Sequence, residues 1–216
     1  MPVGMVFYEI AFHQPKIMTY ISTNNDQPGI VTLLFYKPST GRALSSLAHT
    51  LLHGPSPLTS SERELIASYV SWLNNCPFCH QSHGGAAICH DGANEAIIEA
   101  YKQSIDKAPV SPKMKALLAI AGKVQKSGKE VLPADIETAR KAGASDEEIH
   151  DGVLIAAAFC MYNRYVDGLN TPMPEDPSDF ADMGKRLAKN GYRYPNFIVR
   201  KFIIPWIEKR KKAKRK

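Results

Sequence analysis

Cys76-Pro77-Phe78-Cys79-His80-Gln81-Ser82-His83 is the stretch on which the reading of this chain turns. Pro77 suits the first position of a helix, where a missing backbone N–H costs nothing, and Cys76 then falls at the N-cap. On that helix positions i, i+3 and i+7 share a face, so Cys76, Cys79 and His83 converge. The two thiols would then be close enough to close into a disulfide. This is a reactive arrangement, and it makes redox chemistry the leading expectation.

Working outward, the flanks read as helices. Thr59-Ser60-Ser61-Glu62 forms a capping box. The helix it opens carries Leu65, Ile66, Tyr69, Val70 and Leu73 on one stripe and ends near Asn74-Asn75. Before it, Leu44, Leu47, Leu51 and Leu52 repeat with helical spacing until Gly54-Pro55-Ser56-Pro57 breaks the pattern. The short apolar run 30–36 fits helix or strand equally. Downstream, the Cys76 helix runs to about His90 and another covers roughly 93–104. Ser111-Pro112 opens a helix through about Ser127, and Pro133 opens a short one that stops at Gly143. Ser145 and Glu148 make a second capping box at the head of the longest helix, about 146–170. Its segment 153–161 is apolar all round and is expected to be central and buried.

No set of strands competes, so the fold class is all-α, a helical bundle with N- and C-terminal extensions. Three regions follow: an N-terminal arm at 1–29, a helical domain at 30–170, and a C-terminal extension with a basic tail at 171–216. The arm contains the linker-like Asn24-Asn25-Asp26-Gln27-Pro28-Gly29. The extension is rich in Pro, Asp and Gly at first. It then turns apolar through Phe197, Ile198, Phe202, Ile203, Ile204, Trp206 and Ile207, interrupted by Pro205. Both ends read as arms that pack on the helical body or on a neighbouring subunit.

Composition narrows the class. Among the 216 residues, 44% are hydrophobic and 22% charged, which is ordinary for a soluble globular protein. The longest apolar run is too short to span a bilayer, and the N-terminus lacks a basic segment followed by an apolar one. A cytoplasmic location is the expectation. The net charge of +6 misleads, because seven of the 27 basic residues lie in the last eight positions. The remaining 20 face 21 acidic residues, so the body is nearly neutral and nucleic acid is not an expected partner. The tail itself reads as a frayed, solvated end.

Four cysteines are too few for a disulfide-stapled secreted scaffold, and in a reducing compartment a close C-x-x-C is catalytic or metal-binding. Cys89 and Cys160, each in an apolar stretch, read as small buried hydrophobes. At a helix N-terminus Cys76 would meet free N–H groups and the positive end of the dipole, which favour its thiolate. Cys79 lies one turn before His83, an acceptor for its proton. A thiolate that attacks a peroxide becomes a sulfenic acid, which the second thiol captures as a disulfide. Glu64, on the preceding helix, is placed to orient His83 or relay a proton. It is equally an acid favoured by the first turn and the cap.

The string Glu64-x11-Cys76-x2-Cys79-x3-His83 resembles the motif of the alkylhydroperoxidase D-like proteins of the carboxymuconolactone decarboxylase superfamily. The flanks Arg63-Glu64-Leu65-Ile66-Ala67, Asn75-Cys76-Pro77-Phe78-Cys79, Ala116-Leu117-Leu118-Ala119, Gly143-Ala144-Ser145-Asp146-Glu147-Glu148-Ile149 and Met161-Tyr162-Asn163-Arg164 look closest to its peroxidase-related branch. The resemblance covers roughly residues 30–170. It implies an all-helical fold that assembles as a dimer, trimer or hexamer. It also implies a thiol-dependent peroxidase acting on alkyl hydroperoxides, whose disulfide a dithiol protein or small thiol re-reduces. Cys79 would be the attacking thiolate, Cys76 the more exposed resolving thiol, and Glu64 with His83 the proton relay. No cofactor and no metal are implied. The family pattern has a histidine directly before the second cysteine; here that position is Phe78, and the relay lacks one imidazole.

Other readings of the same residues stay open. A disulfide reductase or thiol redox sensor would use Cys76 and Cys79 without needing Glu64 and His83. A zinc module would take Cys76, Cys79 and His83 with His80, Cys89 or His90 as a fourth ligand, although so compact a set closes a tetrahedron awkwardly. A lactone decarboxylase has no need of two thiols. A non-enzymatic helical binding protein is the blandest option. His13, His49, His53 and His150 stand alone and carry no site expectation. Tyr162, Asn163 and Arg164 are placed to edge the pocket, with Arg164 read chiefly as a partner for a buried acid such as Glu64.

Overall fold

The computed structural model describes residues 19–90 and 95–214. Among these residues there are ten α-helices and no strand. They are α1 (Ile30–Tyr36), α2 (Pro38–His53), α3 (Ser60–Leu73), α4 (Pro77–Cys89), α5 (Glu95–Gln103), α6 (Pro112–Lys126), α7 (Pro133–Lys141), α8 (Asp146–Gly168), α9 (Asp179–Asn190) and α10 (Ile204–Lys214). The run 30–36, open between helix and strand from its sequence, is helical. None of these helices is long and apolar enough to cross a membrane.

The boundaries follow the capping chemistry. At the start of α3, Thr59 Oγ1 accepts from the Glu62 amide at 3.2 Å, while Glu62 Oε2 accepts from the Thr59 amide at 2.9 Å. Ser145 and Glu148 repeat this at the head of α8. Each such cap stabilises its helix by about 1 kcal/mol. Between α3 and α4, Asn75 turns the chain at φ +55, and Cys76 is the N-cap before Pro77.

The central helix is α3, where ten residues between Ser61 and Ser71 are buried. Its Ile66 packs in one core with Leu52 of α2, Leu118 of α6 and Ile155 and Phe159 of α8, each worth about 1.5–3 kcal/mol relative to exposure. The expectation that α8 is buried all round is corrected: Leu154, Ala157 and Met161 form an exposed stripe along it. The helix that is enclosed is the one with more polar residues, because each finds a partner. Ser61 Oγ donates to the Ala87 carbonyl and Ser71 Oγ to that of Ala67. The Arg63 guanidinium donates to the carbonyls of Leu51 and Gly54 at 3.0 and 2.9 Å, clamping the end of α2 to α3.

The C-terminal extension contributes α9, which packs along α4. A Cβ at Gly184 would lie 2.6 Å from the Gly85 carbonyl carbon, so the two backbones meet glycine on glycine. Phe180 and Met183 thereby join Cys76, Phe78, Cys79 and Val166 in a second, smaller apolar cluster. At the other end of the chain, residues 19–29 lie against the body: the Tyr20 amide donates to the Leu169 carbonyl and the Gly29 amide to that of Pro172. Pro205 does not interrupt the last helix. It sits in the first turn of α10, where no intrahelical donor is needed, after a π-helical turn at Val199–Ile203. The basic tail is helical through Lys214 rather than frayed, with Arg210 stacked on Trp206 at 4.7 Å.

Candidate active site

The α3–α4 hairpin brings the motif residues together. Both thiols are buried, at 1% and 3% exposure, and both are reduced. The expectation that Cys76 is the more exposed of the two is therefore corrected. Cys79 lines a cavity of ≈ 780 Å³ together with His83, and Cys76 lies behind it. The two thiols hydrogen-bond each other, and this contact, with burial, holds the Cys79 thiol well above its ordinary pKa. The Cys76 thiol also bonds the Asp167 carboxylate, whose pKa burial raises.

Glu64 is wholly buried, one turn into α3. Its Oε2 accepts from His83 Nδ1 at 2.7 Å. Its Oε1 accepts from the Tyr192 hydroxyl at 2.6 Å, and that hydroxyl lies 3.0 Å from His83 Nδ1. With Nδ1–H committed to the carboxylate, a neutral His83 keeps Nε2 as its proton acceptor. The ring is fixed from both sides, edge-on to Phe159 at 4.5 Å and stacked on Tyr192 at 5.6 Å. Burial and the neighbouring Glu64 push the Tyr192 phenol well above its usual pKa, so it stays a donor.

One member of this site was not read from the sequence, and the role of another was not. Tyr192 follows Gly191, which ends α9 at φ +64 and where a side chain would collide with the His49 ring. A lone tyrosine in a Pro- and Gly-rich stretch carries no local mark of this role. Asn163 had been placed at the pocket edge, and its contact with the thiol is new. It is fully buried and hydrogen-bonds Cys79 in the sense that favours the thiolate. Its amide is oriented because Oδ1 accepts from Asn74 Nδ2 at 2.8 Å and Nδ2 donates to Ser71 Oγ at 3.0 Å. The other amide hydrogen is left for sulfur.

Other expectations sort out clearly. Tyr162 lines the cavity and donates to the Leu44 carbonyl at 2.8 Å; burial pushes its pKa up to about 12. Arg164 does not pair with Glu64: it is exposed and donates to the Cys160 carbonyl one turn back. His80 faces away, between Trp72 and Tyr101, with Nδ1 near Ser68. Phe78 packs on Phe180 and under Gly29, whose backbone at φ +54 leaves no room for a side chain. Cys89 is exposed, not buried, since it ends α4 on the outer side; Cys160 is half-buried.

Among the described residues, Cys76, Cys79 and His83 are not a group whose donor atoms crowd together as metal ligands do. The trio that does is His53, Glu64 and His90, with donor atoms all within 4.8 Å of one another. His53 Nε2 and His90 Nε2 are both buried without a hydrogen-bond partner. A buried polar atom left unpaired costs about 1–3 kcal/mol.

A helical bundle whose central hairpin presents paired thiols beside a carboxylate–imidazole couple defines the class. Residues 38–106 match the model of the carboxymuconolactone decarboxylase family. The structure resembles an alkylhydroperoxidase AhpD core, an uncharacterized peroxidase-related protein from Ralstonia eutropha. That likeness has TM-score 0.65 and 28% identity over 73% of this chain and 81% of that one. An uncharacterized peroxidase-related protein from Silicibacter sp. gives TM-score 0.63 and 25% identity over 71% and 78%. An Agrobacterium tumefaciens protein of unknown function, described with the name antioxidant defence protein AhpD, shares the fold at TM-score 0.58. It is 23% identical over 68% of this chain and 99% of that one. No curated protein matches the chain by sequence. The fold is thus similar to that of the alkylhydroperoxidase AhpD core and of peroxidase-related proteins, and residues 38–106 carry the match to the carboxymuconolactone decarboxylase family.

Proposed function

We propose that this protein is a dithiol peroxidase that reduces organic hydroperoxides. The observation that carries the reading is the contact between the Cys76 and Cys79 thiols, with Cys79 lining a cavity that His83, paired with the buried Glu64, also borders. Cys79 is the attacking residue because it lines the cavity and Cys76 does not. His83 takes the Cys79 proton, and the Asn163 amide supports the developing thiolate. The thiolate attacks the terminal peroxide oxygen; the O–O bond breaks, Cys79 becomes a sulfenic acid, and the alkoxide leaves as alcohol with the proton held by His83. The Cys76 sulfur then attacks the sulfenic sulfur as its S–H proton passes to the departing hydroxide, forming the Cys76–Cys79 disulfide and releasing water. An external dithiol returns both thiols by exchange and is itself oxidised to a disulfide.

Tyr192 and Glu64 hold His83 in the tautomer this cycle needs, and Tyr192 supplies a second proton-bearing group where Phe78 has replaced an imidazole. Apolar walls from Ile30, Leu34, Phe159, Leu187 and Ile203 suit an alkyl peroxide better than hydrogen peroxide. The exposed apolar residues Leu154, Met161 and Trp206 suit assembly into a homo-oligomer, which light scattering tests. The deciding experiment is mass spectrometry after stoichiometric organic hydroperoxide. A rapid Cys76–Cys79 disulfide in the native chain and a sulfenic acid trapped on Cys79 in Cys76→Ser support the cycle. Thiols that stay reduced at the rate of free cysteine refute it.

A further inference from the structure

Beyond the thiol site, we infer that His53, Glu64 and His90 form a binding site for one divalent first-row transition-metal ion. The three come from different elements: His53 from the last turn of α2, Glu64 from α3, and His90 from the residue that ends α4. One donor atom of each lies within 4.8 Å of the other two. Ligand atoms around a tetrahedral ion with bonds of about 2.0–2.1 Å stand about 3.4 Å apart. Ring rotations that move donor atoms by on the order of 1 Å therefore close the site. The two imidazole rings lie 5.4 Å apart between centroids, tilted 60° to one another.

The unpartnered nitrogens point the same way. Buried polar atoms are nearly always hydrogen-bonded, yet His53 Nε2 and His90 Nε2 both lack a partner beside the same carboxylate. Glu64 spends one lone pair of Oε1 on Tyr192 and one of Oε2 on His83, so each oxygen retains another. His49 stacks on His53 at 5.5 Å but has its Nδ1 engaged by the Tyr192 amide, and so stands outside the trio. Two imidazoles and one carboxylate select borderline ions such as Zn²⁺, Co²⁺ or Fe²⁺ over Ca²⁺, Mg²⁺ or the thiol-seeking Cu⁺. Three protein ligands leave a coordination position open, and His53 lines the cavity.

The test is titration of chelator-stripped full-length protein with Co²⁺, in the native chain and in Cys76→Ser/Cys79→Ser. One Co²⁺ per chain, with visible d–d bands and no thiolate-to-cobalt charge-transfer band, is expected in both. His53→Gln and His90→Gln should each weaken binding about 100-fold. In the native chain, Zn²⁺ should protect His53 and His90 from diethyl pyrocarbonate, a readout that needs no substitution to fold. Absence of Co²⁺ uptake, binding that survives both histidine changes, or histidines modified equally with and without Zn²⁺ overturns the proposal. A charge-transfer band that disappears in the cysteine variant does so too, by placing the metal on the thiols. Because Co²⁺ uptake is read without peroxide, and also in the variant that lacks both thiols, its failure and that of the peroxidase reading are separate results.

Discussion

The floor and the roof of this site are built from different kinds of sequence. The floor is the α3–α4 hairpin, where Glu64, Cys76, Cys79 and His83 span 20 residues and their spacing alone converges them. The roof is residues 171–195, whose Phe180 and Met183 cover the thiols and whose Tyr192 reaches Glu64 from 128 positions away. The floor carries the reactive groups; the roof sets how wet, how open and how polarised they are. A C-x-x-C motif read without its cover identifies a chemistry but not the environment that tunes it.

The largest test of that division is Cys79→Ser. Hydroperoxide consumption should fall by on the order of 10³-fold or more, because no roof compensates for a missing nucleophile. Next comes Glu64→Gln, expected to cost about 10²-fold in the rate of disulfide formation, the usual worth of a positioned acid–base group. Stopped-flow mixing with an organic hydroperoxide measures both. An unchanged rate in Glu64→Gln would favour simple thiol exchange over the relay.

The third effect is a pH dependence. The hydrogen bond that the Cys79 S–H donates to Cys76, then burial, raises the Cys79 pKa above that of an ordinary thiol. Its thiolate fraction therefore climbs about tenfold per pH unit and keeps climbing beyond about pH 8.5, where a free thiol levels off. The sign for stability is the opposite. The folded chain holds the proton that an unfolded thiol loses, so stability present below about pH 8.5 declines as pH rises above it. Alkylation of Cys79 followed by mass spectrometry should show the late plateau, and Cys76→Ala should move that plateau to lower pH.

What was legible follows the same line. Capping boxes, first-turn prolines and leucine spacing are local, so α2 through α8 could be read in order from the chain. The burial pattern could not, because α3 hides serines, an arginine and a glutamate whose partners lie on other helices. Hydropathy therefore favoured α8 as the central helix. α9 was legible in principle, since Phe180, Met183 and Leu187 have helical spacing; its Pro- and Asp-rich lead obscured it. Tyr192, and the grouping of His53 with His90, carry no local signal at all. They exist only once α2, the end of α4 and the exit from α9 are brought to one corner.

A smaller effect isolates the electrostatic part of the roof. Tyr192→Phe keeps the ring stacked on His83 and removes only the hydroxyl that donates to Glu64. Peroxide-driven disulfide formation should slow about 5- to 10-fold, about 1–1.4 kcal/mol, because the Nδ1 bond to Glu64 still orients the imidazole. In Glu64→Gln the same change should cost less, because the two residues act on one imidazole and their effects do not add. Full additivity would mean that Tyr192 serves the substrate rather than the relay.

The smallest effect on rate isolates the steric part. Phe180 lies over Phe78 at 5.9 Å and closes the thiol cluster without touching the Glu64–His83 pair. Phe180→Leu keeps an apolar cover and costs about 1–1.5 kcal/mol, so the melting temperature should fall by about 2–6 °C. Loosening the cover admits water to Cys79, which weakens the desolvation that disfavours its thiolate. Alkylation of Cys79 should then speed up by about two- to fivefold at neutral pH, whereas Tyr192→Phe should leave that rate unchanged. If the two substitutions instead alter alkylation alike, the roof acts as one unit and the separation of its steric and electrostatic roles fails.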